Sequence, residues 1–433
     1  AMPHIYLGSS TGSWTFNQSV MPLAQVPVIQ NDVNSGNYAS LWTDINNDGL
    51  IDLMVTHCRQ GVTQATDPRR IDQVWMNNGN GTYTQDTTNW TNLRDGAQGW
   101  STGWGDIDND GDMDAFVLNQ DVNGRLLIND GSGVFTDVMS GSGISTTMAY
   151  FGENATFHDF DNDGVLDLLL TGGDCQLYKG NGDATFNLVT APFPYSTYKF
   201  RAQGVGDLNG DGFLDVYSSY CSLYNTPSST RRDKLWMNES YTNGNHWIRF
   251  NLTGGASTGM SNKNGIGAIV KIYGDFGQQV REVRSGEGYG IQNSFSVFFG
   301  LGSNTGIDSV VVKWPSGIVD VWTNLPADAG HALYENNFTT SAGTFDTNPF
   351  KLSVYPNPAN DVAFIRVDHF VKYGLTNLSL HIYNLSGQKV YSEAALRNSI
   401  IAIERSKLSA GVYLVEIRAN GEAIARERMV FTE

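Results

Sequence analysis

The sequence predicts an all-β chain of several domains, and three observations carry that expectation: its length, its composition, and an acidic nine-residue loop that recurs ahead of β-type stretches. At 433 residues the chain exceeds one ordinary domain, so roughly two to four are expected, each large enough to bury a core. Forty-eight glycines and 12% aromatics against 16% charged residues favour short strands joined by tight turns over long amphipathic helices.

The repeat is the strongest of the three. Asp44-Ile-Asn46-Asn-Asp48-Gly49-Leu50-Ile-Asp52 returns as Asp106-Ile-Asp108-Asn-Asp110-Gly111-Asp112-Met-Asp114, as Asp159-Phe-Asp161-Asn-Asp163-Gly164-Val165-Leu-Asp167, and as Asp207-Leu-Asn209-Gly-Asp211-Gly212-Phe213-Leu-Asp215. The starts lie 62, 53 and 48 residues apart. Each loop runs into a buried-strand pattern, such as Ala115-Phe-Val-Leu118 or Leu168-Leu-Leu170. A second shared element follows, typified by Val74-Trp-Met-Asn77-Asn-Gly79-Asn-Gly81-Thr-Tyr83, whose Asn-Gly pairs supply the positive φ of a tight hairpin. Loop, inner strand, hairpin and outer strand make a unit of about fifty residues, the pattern of a β-propeller blade. A lone blade leaves its faces bare, so blades must pack on one another.

The loops carry fifteen aspartates, being three, five, four and three in turn, within a chain of net charge −17. Calcium wants six to eight hard oxygens, and alternate side chains of a short loop supply them. Positions 1, 3 and 5 are the expected side-chain ligands: Asp44, Asn46 and Asp48; Asp106, Asp108 and Asp110; Asp159, Asp161 and Asp163; Asp207, Asn209 and Asp211. The glycine at position 6 permits the reversal. Position 7 (Leu50, Asp112, Val165, Phe213) contributes its carbonyl, and position 9 (Asp52, Asp114, Asp167, Asp215) closes the shell with its carboxylate. The expected cofactor is therefore structural Ca2+, one ion per loop. A solvated Asp/Asn-Gly turn would explain one such loop, but not four in register.

On these loops and hairpins, residues 1–241 resemble the FG-GAP, or VCBS, repeats of integrin-type propellers. The resemblance implies a structural calcium at each blade edge. It also implies a closed ring of more blades than the four loops mark. The opening stretch Ile5-Tyr-Leu7 through Gly12 to Phe16 reads as the hairpin half of an earlier blade, so either further blades precede it or the ring is incomplete.

From His246-Trp-Ile-Arg249 the pattern changes to strands of period two, implying a small half-buried antiparallel β domain over residues 242–335. Asn264-Gly-Ile-Gly-Ala268, Arg281-Glu-Val-Arg-Ser-Gly286, Phe299-Gly-Leu-Gly302 and Val312-Lys-Trp-Pro-Ser-Gly317 make this stretch similar to the ASPIC/UnbV domain. Arg281, Glu282 and Arg284 read as a surface ion-paired strand or as a polar binding surface. Residues 336–350 read as a Ser/Thr/Asn/Gly-rich linker. Beyond it, Leu352-Ser-Val-Tyr-Pro356-Asn-Pro358, Leu380-His-Ile-Tyr-Asn-Leu-Ser-Gly387 and Leu408-Ser-Ala-Gly411-Val-Tyr413 make residues 351–433 resemble the C-terminal sorting domain of type IX secretion substrates. That resemblance implies an immunoglobulin-like β-sandwich and a partnership with the type IX secretion machinery. It places the protein outside a Gram-negative cell or on its outer-membrane surface.

Several functions are disfavoured. Arg69-Arg70 and Arg231-Arg232 are isolated pairs in an acidic chain, so no nucleic-acid partner is expected. No apolar run reaches transmembrane length. Cys58, Cys175 and Cys221 make no zinc spacing; a Cys175–Cys221 bridge competes with buried free thiols, the commoner outcome. Gly8-Ser-Ser10-Thr-Gly12 matches a nucleophile elbow but sits in a hairpin-like turn, and His57 and His158 lack a second histidine at metal spacing. No catalytic residue or phosphate-binding cofactor motif is assigned. The expected function is a secreted, calcium-binding, non-catalytic surface protein mediating adhesion or binding a glycan or protein. The alternatives are a self-assembling structural subunit of an extracellular filament and a polysaccharide-acting enzyme using the propeller as platform.

Overall fold

The structure is a computed structural model that describes residues 6–8, 13–20, 36–145, 152–172, 175–190, 192–193, 200–221, 229–255, 257, 259–336, 352–367, 378–384, 388–394, 396, 400–419 and 422–432. It forms two compact units, 1–343 and 344–433. Most of the nucleophile-elbow match and nearly all of the linker lie outside the described residues. Among the described residues no helix is long and apolar enough to cross a membrane.

The first unit opens with an antiparallel pair, β1 (Tyr6–Gly8) and β2 (Trp14–Phe16). Four blades follow. The first is β3 (Asn37–Thr43), β4 (Asp52–His57), β5 (Gln73–Asn77) and β6 (Tyr83–Gln85). The second is β7 (Gly99–Gly105), β8 (Asp114–Asn119), β9 (Arg125–Asn129) and β10 (Phe135–Asp137). The third is β11 (Asn154–His158), β12 (Asp167–Thr171), β13 (Gln176–Gly180) and β14 (Phe186–Leu188). The fourth has β15 (Phe200–Gly206), β16 (Asp215–Tyr220) and β17 (Lys234–Trp236).

The acidic loop joins the first and second strands of each blade. The innermost strands are therefore those before the loops, with β7 packed against both β3 and β11, and not the stretches after the loops that the repeat pattern suggested. These inner strands are short on large aliphatics because their neighbours approach closely. At Gly103 of β7, for example, a Cβ would meet the Ala155 carbonyl of β11 at 2.8 Å.

Strand alternation sends one face of each blade forward and one back. Met54 and Val74 are cross-strand partners, as are Phe116 and Leu126, Leu169 and Leu177, and Tyr217 and Leu235. The first pair is buried with Ala115, Val117 and Leu127 of the second blade. The second is buried with Leu168, Leu170 and Tyr178 of the third, and the third pair packs on Val205 and Val216 of the fourth. The rear face of the first blade, Leu53, Val55 and Trp75, is closed by Val20.

The ASPIC-like stretch contributes β18 (His246–Thr253), β19 (Ile269–Gly274), β20 (Gly277–Glu282), β21 (Val297–Gly302), β22 (Gly306–Lys313), β23 (Val319–Pro326) and β24 (Ala329–Tyr334). They form two sheets, β21-β18-β24 and β20-β19-β22-β23, around a core that includes Phe250, Phe299, Val312 and Trp314. One pairing, β18 with β24, is parallel. This domain does not stand apart from the blades: Ile269 and Val280 belong to the core between blades one and two. Tyr289 packs on Trp100 and Tyr38 at ring distances of 5.1 and 5.3 Å, and the Ser294 amide donates to the Val205 carbonyl of β15 at 3.0 Å.

In the second unit, β25 (Leu352–Tyr355), β26 (Val362–Val367) and β29 (Ile400–Glu404) face a sheet of β27 (Leu378–Asn384), β28 (Lys389–Ala394), β30 (Gly411–Ala419) and β31 (Glu422–Phe431). Ile365, Leu380, Ile403, Val415 and Met429 fill the space between. The sequence motifs here are structural. Asn357 imitates a strand partner, donating to the Arg428 carbonyl and accepting from the Val430 amide. The Tyr413 hydroxyl donates to the Ser409 carbonyl at 2.7 Å, the arrangement that pins corners in β-sandwiches.

Candidate metal centre

Each loop is tied to its blade by position 9. One oxygen of Asp52, Asp114, Asp167 and Asp215 accepts the position-2 amide at 2.9–3.0 Å. The other accepts an amide of the following hairpin, from Asn77, Asn129, Gly180 and Asn238. Position 5 accepts the position-7 amide in all four loops. Position 4 takes a positive φ, 55°, 59°, 57° and 80° at Asn47, Asn109, Asn162 and Gly210. Asn and Gly tolerate that region, a signal present in the repeat but not used in reading it.

The loops also link to one another. Asn109 donates to the Gly164 carbonyl and Asn162 to the Gly212 carbonyl, both at 3.1 Å. Asn129 and Asn238 reach across to the carbonyls of Ile45 and Phe160 in the preceding loop at 2.9 and 2.6 Å. Four acidic loops thus lie side by side along one edge of the blades.

The structure gathers carboxylates most tightly in the second and third loops. Ligand oxygens of Asp106, Asp108 and Asp114 lie within 4.8 Å of one another, and so do those of Asp159, Asp161 and Asp167. Asp106 is fully buried and neither oxygen makes a close hydrogen bond, the Arg281 guanidinium and the Gly111 amide only partly offsetting its charge. A bare buried carboxylate is costly unless a cation or a proton meets it. Burial pushes Asp106 up to about 6 and Asp114 up to about 9. Asp112 rises to about 7, through burial and then the charge of Asp110. In the third loop burial, then Asp163, raises Asp159 to about 7. In the first, burial raises Asp44 and Asp52 to about 7, with Glu282 adding to the effect at Asp44. All donors are hard oxygens and no thiolate or imidazole joins them, a set suited to Ca2+ rather than to zinc or copper.

The remaining loops close on themselves. Asp44 accepts the amides of Asp48 and Gly49 at 3.1 and 2.7 Å, and Asp207 those of Gly210 and Gly212 at 2.7 and 3.1 Å. In the third loop the Lys179 ammonium pairs with Asp161 and lies 2.8 Å from Asp163. Met76, Ile128 and Met237 hold the equivalent position in the other blades.

Arg281, Glu282 and Arg284 face the blades. They line a cavity of about 80 Å³ with Trp104, His158, Asp159, Glu287 and Asn293. Its charged groups are committed: Arg284 to Glu282 at 2.8 Å and to the Trp104 carbonyl, Asn293 to Glu287 and to His158. Burial, with Arg281 and Arg284 nearby, pushes His158 down to about 3, so it is neutral. His57 is likewise buried and pushed down to about 4 by burial. The three cysteines are free thiols.

Comparison with known families agrees with this order of parts. Residues 44–117, 106–170 and 159–218 match the FG-GAP-like repeat. Residues 258–340 match the family described as ASPIC and UnbV, and 353–431 the secretion system C-terminal sorting domain. No curated protein matches the sequence. Among solved structures, dimeric latent PorU from Porphyromonas gingivalis aligns with 94% of this chain and 35% of its own, at 11% identity and a TM-score of 0.18. The β-fructofuranosidase of Schwanniomyces occidentalis complexed with fructosyl-erythritol aligns with 92% of this chain and 82% of its own, at 11% identity and 0.31. The chain spans about a third of the first of these, and likenesses of this size carry no argument about activity.

Proposed function

We propose, for a chain in which FG-GAP-like repeats lead into an ASPIC/UnbV domain and a secretion-system sorting domain, that the repeat loops bind calcium. The secreted protein then serves as a metal-stabilised, non-catalytic surface module that binds a glycan or a protein. The sorting domain directs it to the extracellular or outer-membrane surface through the secretion machinery. The observation that carries the metal is Asp106, buried and without a close hydrogen bond, its oxygens gathered with those of Asp108 and Asp114 within 4.8 Å.

When bound, calcium supplies the positive charge that lets these carboxylates stay ionised at close range. Asp106, Asp108 and Asp114 would hold it in the second loop, Asp159, Asp161 and Asp167 in the third. Asp44, Asn46, Asp48 and Asp52, and Asp207, Asn209, Asp211 and Asp215, are the side chains proposed for the outer two. The role is structural: the position-9 carboxylates brace loop to hairpin, so an ion held there stiffens both.

Calorimetric titration of the chelator-treated protein with Ca2+ tests the first part. Binding to one or more loops with a rise in melting temperature supports it, and no heat and no shift would refute it. A glycan array with and without calcium tests the second, where turnover of a bound glycan would overturn the non-catalytic assignment.

A further inference from the structure

The ASPIC/UnbV domain touches every acidic loop, and it does so at the same place each time. At the position-6 glycines, a Cβ on Gly49 would overlap the Lys313 side chain and one on Gly212 the Trp247 ring. One on Gly111 would come within 2.6 Å of Gln278 and one on Gly164 within 3.3 Å of Gln279. At Gly212 the rigid Trp247 ring leaves no room for a side chain, whereas Lys313, Gln278 and Gln279 meet the other three with flexible ends. The requirement common to all four is therefore the positive φ, which runs from 79° to 102°.

The polar bonds beside these seats go mainly to loop backbone. Lys313 donates to the Asp48 carbonyl at 3.1 Å, Gln278 to the Asp110 carbonyl at 2.6 Å and Lys271 to the Gly111 carbonyl at 3.0 Å. The Glu282 carboxylate accepts the Asp44 amide at 2.9 Å, and the Gly302 amide donates to the Asn162 carbonyl at 2.9 Å. Among the described residues Arg249, 3.2 Å from Asp207, pairs with a carboxylate at the last seat, and Arg281 lies close enough to Asp106 and Asp159 to offset part of their charge. Backbone contacts report the path of a loop, not its composition. That path depends on carboxylates gathered at close range, which is the arrangement the metal would neutralise.

We infer that the ASPIC/UnbV domain is a clasp on the loop face, and that metal in the loops controls how firmly it is seated. The inference rests on the calcium reading and adds an interaction to it. Emptied of metal, the crowded carboxylates repel, the loops relax, and all four seats lose their shape together. Coupling is reciprocal, so a seated clasp tightens metal binding by the same factor that metal tightens the clasp.

Hydrogen–deuterium exchange on the full chain, with Ca2+ and with EGTA, tests this. Backbone amides of 276–284 and 297–303 exchange roughly tenfold faster in EGTA, while those of β23, inside the domain, keep their rate. Calcium binding seen by calorimetry together with unchanged exchange at the seats overturns the clasp and leaves the calcium reading standing. No calcium binding sinks both. A Lys313→Ala/Gln278→Ala double variant provides the reverse test: calcium affinity falls by roughly fivefold or more at unchanged stoichiometry, and an unchanged affinity overturns the inference.

Discussion

The second and third loops present the same nine-residue pattern with almost the same acids, yet they are balanced differently. Asp106 makes no close hydrogen bond, the Arg281 guanidinium and the Gly111 amide being the groups that offset its charge, whereas Asp159 accepts the amides of Asp163 and Gly164 at 3.2 and 2.8 Å. The third loop also keeps a cation of its own, Lys179. The second has a fifth acid, Asp112, and no lysine from its own blade. The third loop is met by a lysine of its own blade as well as by Arg281, the second by Arg281. Residues outside the motif therefore set how much of each loop's charge the protein itself offsets.

Removing calcium from all loops has the largest expected effect on this contrast. A site held at a hundredfold excess over its Kd contributes about 2.7 kcal/mol, so EGTA lowers the melting temperature of the 1–343 unit by roughly 10 °C or more. The 344–433 sandwich, which has no such loop, keeps its own transition. Calorimetric scans resolving the two show whether the metal acts where the loops are.

The next effect compares blades. Phe116→Ala opens a cavity between the second and third blades and costs about 3–5 kcal/mol in urea unfolding. Tyr217→Ser, at the same register of the fourth blade but 48% exposed, changes stability by less than about 0.5 kcal/mol. Similar costs at both positions would mean that the fourth blade's forward face is covered.

Asp106→Asn sharpens the contrast between loops. It removes one calcium from the stoichiometry and costs roughly 2 kcal/mol in the loaded protein, but stabilises the metal-free protein by relieving a bare buried charge. Asp159→Asn gives both effects, the second at least as large, because burial and the neighbouring Asp163 hold its carboxyl at about 7 against about 6 for Asp106. Thermal melts of both variants with and without calcium read the crossover. Smallest is Lys179→Met, which restores the residue type of the first and fourth blades. The Lys179 side chain is 43% exposed and its ion pairs are screened by water, so calcium affinity at the third loop rises by about threefold to fivefold. An unchanged affinity would show that Lys179 swings clear at no cost.

Much of the blade architecture was legible in the sequence because it is local. Asp, Asn and Gly at fixed offsets, and a strand pattern after each loop, report turn chemistry and burial within a few residues. The innermost strands were not legible. Asn37–Thr43 and Gly99–Gly105 mix aromatics such as Trp42, Trp100 and Trp104 with glycine and small polar residues, since neighbours approach closely at the small positions, and that mixture lacks the aliphatic run that marks a buried strand. Arg281, Glu282 and Arg284 suggested a solvated strand because alternation alone does not say which surface faces water.

The acidic repeat, the turn glycines and the order of the three parts were determined by the sequence itself, through backbone preference and residue spacing. Which carboxylates meet, which loop carries its own cation, and that Lys313, Gln278, Gln279 and Trp247 sit over four loop glycines were decided only by the tertiary structure. Those contacts join residues far apart in the chain, from Trp247 over Gly212 to Lys313 over Gly49, and no local pattern records a partner at such a distance.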